Sequence, residues 1–205
     1  MTWYEERVLP TLINLACSVK PARKQREKIV PRATGDVLEI GFGSGLNLPY
    51  YDRRKVRRVW GLEPSAGMRR LARKAIARSS LEVELIDLPG EEIPLDDDSV
   101  DTVLVTYTLC TIPEVAEALR GMRRVLKPQG RLLYCEHGKA PDSNVRKWQD
   151  RLNPAWKKIA GGCNMNREIV AHLEEAGFLI EDDNRMYLPG IKALTYNYWG
   201  AARIR

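Results

Sequence analysis

This chain of 205 residues has little histidine, phenylalanine or cysteine, with 2, 2 and 4 of each. Its cysteines, Cys17, Cys110, Cys135 and Cys163, stand far apart, with no Cys-x-x-Cys pair and no histidine at zinc-finger spacing. That spacing argues against a disulfide framework and against a structural zinc module, so no metal ligands are assigned. No apolar run approaches the ~20 residues needed to cross a bilayer. The opening Met-Thr-Trp-Tyr-Glu-Glu-Arg lacks the basic-then-apolar layout of a secretory signal. The expectation is a cytoplasmic protein with reduced thiols. Internal repeats and low-complexity tracts are absent as well.

What remains is an ordinary globular balance, 44% hydrophobic and 29% charged. The net charge of +6 is spread over clusters at 20–32, 53–58, 69–78 and 120–127. Most of these basic residues lie at helical spacing beside apolar ones and read as solvated helix faces. Nucleic acid is therefore not an expected partner, and no obligate protein partner is predicted. The length suits one α/β domain over 1–205.

Strand and helix patterns alternate through the middle of the chain, which predicts a mostly parallel sheet. Strands are expected at 36–40, 58–62, 81–86, 100–106 and 130–136, with helices at 65–78 and 113–126. Residues 138–165 read as a polar, tryptophan-bearing cap insertion, followed by a helix at 166–176. Two last strands, 178–186 and 193–204, are expected to form an antiparallel hairpin at the sheet edge. Ahead of the first strand, residues 1–33 carry an apolar band, Trp3, Tyr4, Val8, Leu9, Leu12, Ile13, Leu15 and Ala16, broken by Pro10. This segment reads as a packed helix, as a helical lid over a cleft, or as a peripheral membrane contact aided by the basic residues at 20–32.

The richest stretch is Val-Leu-Glu-Ile-Gly-Phe-Gly-Ser-Gly at 37–45. Glycine lets a chain turn sharply off a strand and approach a ligand without a Cβ in the way. The spacing is not the dinucleotide fingerprint, because Leu46 stands where its third glycine belongs. That weakens a dehydrogenase reading. Glu39 followed by Gly41, Gly43 and Gly45 instead resembles motif I of the class I S-adenosylmethionine (SAM) methyltransferases.

The C-terminal half narrows this resemblance. Cys135-Glu136-His137, Trp148-Gln149, Leu152-Asn153-Pro154-Ala155-Trp156, Gly162-Cys163-Asn164 and Arg167-Glu168 follow in an order similar to a subgroup of the type 11, ubiquinone/menaquinone-methylase-like family. The alkyl thiol methyltransferases are members of that subgroup. This chain departs from it in having Phe42 where cysteine is common. The resemblance covers about residues 36–185 and implies a Rossmann-like, seven-stranded, mostly parallel sheet with helices on both faces. It also implies SAM as cofactor and S-adenosylhomocysteine as product.

On that reading Glu39 and the glycine turn serve the amino-acid end of SAM, and Glu63, with Pro64 after it, accepts the ribose hydroxyls. Gly90 and Glu91 are the adenine candidates, with Asp87 in reserve, and Thr106 and Leu109 line the cleft. The Asn/Asp-Pro-Pro-Tyr stretch of base-amine methylases is missing after the fourth strand, where Thr106-Tyr107-Thr108-Leu109 stands. The acceptor is then a small, apolar molecule. Thiol S-methylation is the preferred chemistry. The alternatives are C- or O-methylation of a quinol precursor, N-methylation of a lipid amine, and a non-catalytic SAM-binding or RNA-associated module.

Methyl transfer is an in-line displacement that requires neither a metal nor a covalent intermediate, but a thiol must first lose its proton. His137, at the carboxyl end of a strand, is the candidate base, and Cys163 the candidate contact to the acceptor. Glu136 is a poor partner for the His137 ring, because neighbouring strand residues face opposite ways. His172, inside a predicted helix, reads as structural. Trp148 and Trp156 read either as packing for the cap or as walls of an apolar acceptor pocket.

Overall fold

The computed structural model describes residues 7–205. Trp3 and Tyr4 of the apolar band lie outside the described residues. Seven strands form one sheet: β1 (Gly35–Ile40), β2 (Val56–Leu62), β3 (Glu82–Ile86), β4 (Val100–Thr106), β5 (Leu126–His137), β6 (Phe178–Tyr187) and β7 (Tyr196–Ile204). Their spatial order is 3-2-1-4-5-7-6. The first five strands run parallel, and β7 is inserted antiparallel between β5 and β6. The helices are α1 (Leu9–Cys17), α2 (Lys20–Ile29), α3 (Ala66–Ile76), α4 (Val115–Val125), α5 (Ser143–Ile159), α6 (Ile169–Glu175) and α7 (Lys192–Thr195).

The central strands are apolar almost throughout because both faces of the sheet are covered. Successive residues divide between the two cores with period two. Val37, Leu104, Leu133 and Cys135 pack with Ile29 of α2 and Ala72 of α3. Leu38, Val103, Val105, Leu132 and Tyr134 pack with Leu119 and Met122 of α4 and Leu173 of α6. The alternation carries past β5: Glu136 continues the Tyr134 row, and His137 continues the Cys135 row.

Several expectations need correction. The cap insertion contains a 17-residue helix, α5, which the interior proline Pro154 and the polar composition had obscured. One buried residue docks it. Gln149 accepts from the Ala140 N–H at 2.9 Å and donates to the carbonyls of Gly138, Met165 and Ala193. Residues 193–195 are helical rather than strand, and the Thr195 carbonyl closes a turn onto Leu188 N–H. Residues 166–168 stay outside α6 because the Arg167 side chain donates to the Leu109 and Ile112 carbonyls, while its own carbonyl accepts from Lys139. Strand β5 begins at Leu126, four residues before the expected 130, through a bulged pairing with β4.

The order of strands reverses between β1 and β4, and a crevice opens there at their carboxyl ends, where doubly wound sheets hold ligands. The chain after β1 is set by a contact across the sheet: a Cβ on Gly61 would lie 2.5 Å from the Phe42 ring, which is buried. Gly61→Val is expected to displace Phe42 and lower stability by about 1–3 kcal/mol, the usual cost of overpacking. Thermal unfolding checks this, and an unchanged melting temperature would refute it.

Candidate active site

The cleft at the switch point has a volume of about 540 Å³. Its floor is the turn after β1, where Gly41, Gly43 and Gly45 all have positive φ. At Gly43 an added Cβ would meet only the Gly41 carbonyl, at 3.8 Å, and would project into the open cleft. The turn is therefore a cradle kept free for a ligand. Gly45 plays another part. It packs towards Ala75 and Leu48 and does not reach the cleft wall.

Two acidic residues brace this turn. Glu63 directly follows β2 and is 7% exposed, accepting from Gly43 N–H at 2.8 Å and Ser65 N–H at 2.9 Å. It holds the glycine turn and the start of α3 together and still faces the cleft. Burial pushes its carboxyl above the ordinary range. Glu39 lies deeper, accepting from the Tyr51 hydroxyl at 2.6 Å and from Asn47 Nδ2 at 2.9 Å. Asn47 also donates to Thr106 and accepts from Arg26 Nε at 3.0 Å.

Arg26 was not singled out from the sequence. It sits in a basic cluster that reads as a solvated helix face, yet it is 4% exposed and borders the cleft. The signal was available in α2 itself, where the buried positions Ala22, Gln25, Arg26 and Ile29 follow a helical spacing. Its guanidinium also donates to the Cys17 carbonyl and lies 5.2 Å from the centre of the Tyr107 ring.

The other sequence candidates separate into two groups. Pro64, Gly90, Glu91 and Thr106 reach the cleft wall together with Pro89. Leu109 does not: its side chain is in the core, and its N–H is bonded to Glu136. Asp87, the reserve adenine contact, is paired with Arg69 outside the wall. The acidic run at 96–98 is a turn in which Asp97 meets Arg124 and Asp98 takes a positive φ. His172 faces Glu175 one helical turn away.

Beside the cleft lies a second chamber of about 450 Å³. Leu9, Ile13, Cys17, Tyr107 and Thr111 border both spaces. Its lining is mainly apolar, with Trp156, Ile159, Leu188 and Leu194 among the walls. Trp148, by contrast, is 56% exposed and stacks under Arg151. His137 and Cys163 meet in this chamber, with Nε2 and Sγ 3.1 Å apart, and Cys110 joins them there. Burial lowers the imidazole pKa, but the contact with Cys163 leaves it raised overall. Hydrogen bonding from Cys110 and burial push the Cys163 thiol up. Glu136 turns the other way, to the Thr108 and Leu109 N–H groups at 2.7 and 3.0 Å, and does not bond to His137.

The family model described as a methyltransferase domain matches residues 38–134. Just under half of the chain therefore carries a methyltransferase domain. It is 36% identical over 152 residues to the thiol S-methyltransferase TMT1B of Homo sapiens, covering 71% of this chain and 62% of that protein. It is 31% identical to a phosphatidylethanolamine N-methyltransferase of Cereibacter sphaeroides, over 58% of this chain and 59% of that one. The chain thus spans about three-fifths of these relatives' lengths. A SAM-dependent methyltransferase from Aquifex aeolicus has the same fold, with a TM-score of 0.65 at 20% identity over 96% of this chain and 98% of that one.

The network around Glu39 carries a pH signature. Burial, reinforced by Glu63 and opposed by Tyr51, Asn47 and Arg26, pushes the Glu39 carboxyl from 4.5 to about 7. A carboxyl protonated more readily in the folded state gives stability that is fully present below the unfolded pKa and lost as the pH rises through the folded one. The Glu39 contribution is therefore expected to decline between pH 4.5 and 7. Glu39→Gln is expected to flatten that decline by at most about 3 kcal/mol, measured by urea unfolding across the range. Parallel pH profiles for both proteins would rule it out.

Proposed function

We propose that the protein transfers the methyl group of SAM to the sulfur of a small apolar thiol. The observation that carries this reading is the apolar chamber sharing a wall with the glycine-turn cleft and holding His137 and Cys163. The thiol S-methyltransferases among its relatives support it. SAM, when bound, supplies an electrophilic methyl on a sulfonium and leaves as S-adenosylhomocysteine.

The residues present fit that cofactor. Glu63 offers a carboxylate to the ribose diol, and Gly43 lets the main chain approach the amino-acid end, while Gly41 makes room for the Thr108 side chain. Glu39 orients Asn47 beneath that end, and Arg26 supplies the positive charge its carboxylate needs. Gly90 and Glu91 frame the adenine side, with Pro64 and Thr106 completing the wall. Thr111 and Tyr107 stand where the donor methyl and the acceptor sulfur must line up, roughly 3 Å apart. His137 and Cys163 face the acceptor's sulfur, which reacts as a thiolate although a free thiol has a pKa near ~8.5.

The acceptor's route is at the outer face of α1. Leu12 and Leu15 are exposed there, and Val19 and Ile159 are exposed at the rim of the chamber. Lys20 and Arg23 of α2, Lys157 and Lys158 of α5 and Lys192 of α7 are exposed as well. Among the described residues no helix is long and apolar enough to cross a membrane. The pattern suits a peripheral contact with an anionic lipid surface that delivers apolar acceptors. The four cysteines are free, and a reducing compartment such as the cytoplasm suits them.

The deciding experiment follows S-adenosylhomocysteine release with hydrosulfide, an alkyl thiol, an aromatic thiol, a quinol analogue and an ethanolamine lipid. Turnover is expected on the two organic thiols. Turnover on the quinol or lipid alone would discard the thiol reading. Leu194→Trp, which fills the chamber, is expected to raise the thiol KM at least tenfold with SAM affinity unchanged. Glu63→Ala should do the reverse and weaken SAM binding at least tenfold. Co-sedimentation with phosphatidylglycerol vesicles should fall severalfold in Leu12→Ser/Leu15→Ser; equal sedimentation would remove the lipid contact.

A further inference from the structure

The cysteines that sequence spacing keeps apart are brought together by the fold. Cys110 follows β4, His137 ends β5, and Cys163 lies between α5 and α6. Their ligand atoms, two thiol sulfurs and His137 Nε2, all lie within 4.8 Å of one another. A tetrahedral zinc with Zn–S bonds of about 2.3 Å and Zn–N bonds of about 2.0 Å needs such neighbours about 3.5–4 Å apart. Small side-chain rotations separate the group from that arrangement.

The cluster is held by its surroundings. Asn164, next to Cys163, donates its N–H to the Cys110 carbonyl at 2.8 Å and its Nδ2 to the same oxygen at 2.9 Å. Arg167 grips the carbonyls on either side, at Leu109 and Ile112. His137 is fixed at the end of the β5–β7 ladder. Its Nδ1 is buried and has no hydrogen-bond partner among the described residues. A proton on Nδ1 leaves the Nε2 lone pair directed towards the two sulfurs. Thiols are weak hydrogen-bond partners, so three such groups converging gain little from one another. A soft cation satisfies all three at once.

We infer that Cys110, His137 and Cys163 bind one zinc-like cation whose fourth position opens into the acceptor chamber and takes the acceptor's sulfur. Two cysteines and one histidine with one position left open form a catalytic rather than a structural zinc set. The acceptor part of this inference rests on the S-methylation reading. The arriving thiol loses its proton to solvent as it becomes the fourth ligand. Its sulfur then forms a bond to the donor methyl carbon, while the sulfonium–methyl bond breaks and its electron pair stays on the departing cofactor sulfur. The product is a neutral thioether and a weak ligand, so it leaves and the position reopens.

The test uses the full chain, reduced and stripped with a chelator, then titrated with Zn²⁺ and with Co²⁺. One equivalent of Zn²⁺ is expected to bind. Co²⁺ should give thiolate charge-transfer absorption and the intense visible bands of a four-coordinate site. Adding an alkyl thiol should shift those bands. Cys110→Ser and Cys163→Ser should each weaken Zn²⁺ binding at least a hundredfold while keeping SAM affinity, because neither side chain borders the SAM cleft. No metal binding by the wild-type chain, or binding indifferent to both variants, would overturn the site. Bands that ignore the thiol would overturn the acceptor's place on the metal. Failure of the S-methylation reading would look different: metal bound and bands shifted, but no S-adenosylhomocysteine released.

Discussion

The carboxylate of Glu136, fully buried at the end of β5, holds the segment on which both cavities depend. By accepting the Thr108 and Leu109 N–H groups it turns the chain after β4 through Tyr107, a non-glycine residue with φ of +55°. Such a conformation costs of order 1–3 kcal/mol and persists only where its surroundings impose it. The Tyr107 hydroxyl is anchored in turn to Asn197 at 2.8 Å. The outcome is a thin partition, 106–111, with Thr106 facing one cavity, Cys110 the other, and Tyr107 and Thr111 both. A methyl donor and its acceptor can then approach from opposite sides without sharing a pocket.

Much of the cofactor side was legible in the sequence because its signals are local. A strand ending in glycines, a second strand followed by Glu63, and two-residue alternation are each visible within ten residues. Five parallel strands and their crossovers followed from them. The acceptor side was less legible, because it is assembled from long-range contacts. Gln149 carries no periodic signal, yet its four bonds dock the whole of α5. Cys110, His137 and Cys163 are separated by 27 and 26 positions, and only the return of the α5–α6 loop onto the β4 loop brings them together. Leu109 was misread for a related reason: Glu136 needs its N–H, and satisfying that bond turns the side chain into the core.

Helix α1 unites the two halves. Asn14 accepts from the Ser44 hydroxyl in the glycine turn at 2.5 Å, and the Cys17 carbonyl accepts from Arg26 at 2.9 Å. The helix is thus tied to the cofactor end by polar contacts at two points. Its Leu9 and Ile13 border both cavities and a half-exposed Leu12 borders the chamber, while Leu15 points outward at 69% exposure. A helix that only packed on the domain would bury one apolar stripe and show water a polar face. This one is apolar inward, over donor and acceptor alike, and apolar outward as well. Apolar residues on both sides of a nine-residue helix make it a wall of the chamber rather than a helix packed by one stripe alone. The polar ties to Ser44 and Arg26 then link the position of that wall to the residues that shape the cofactor's cradle.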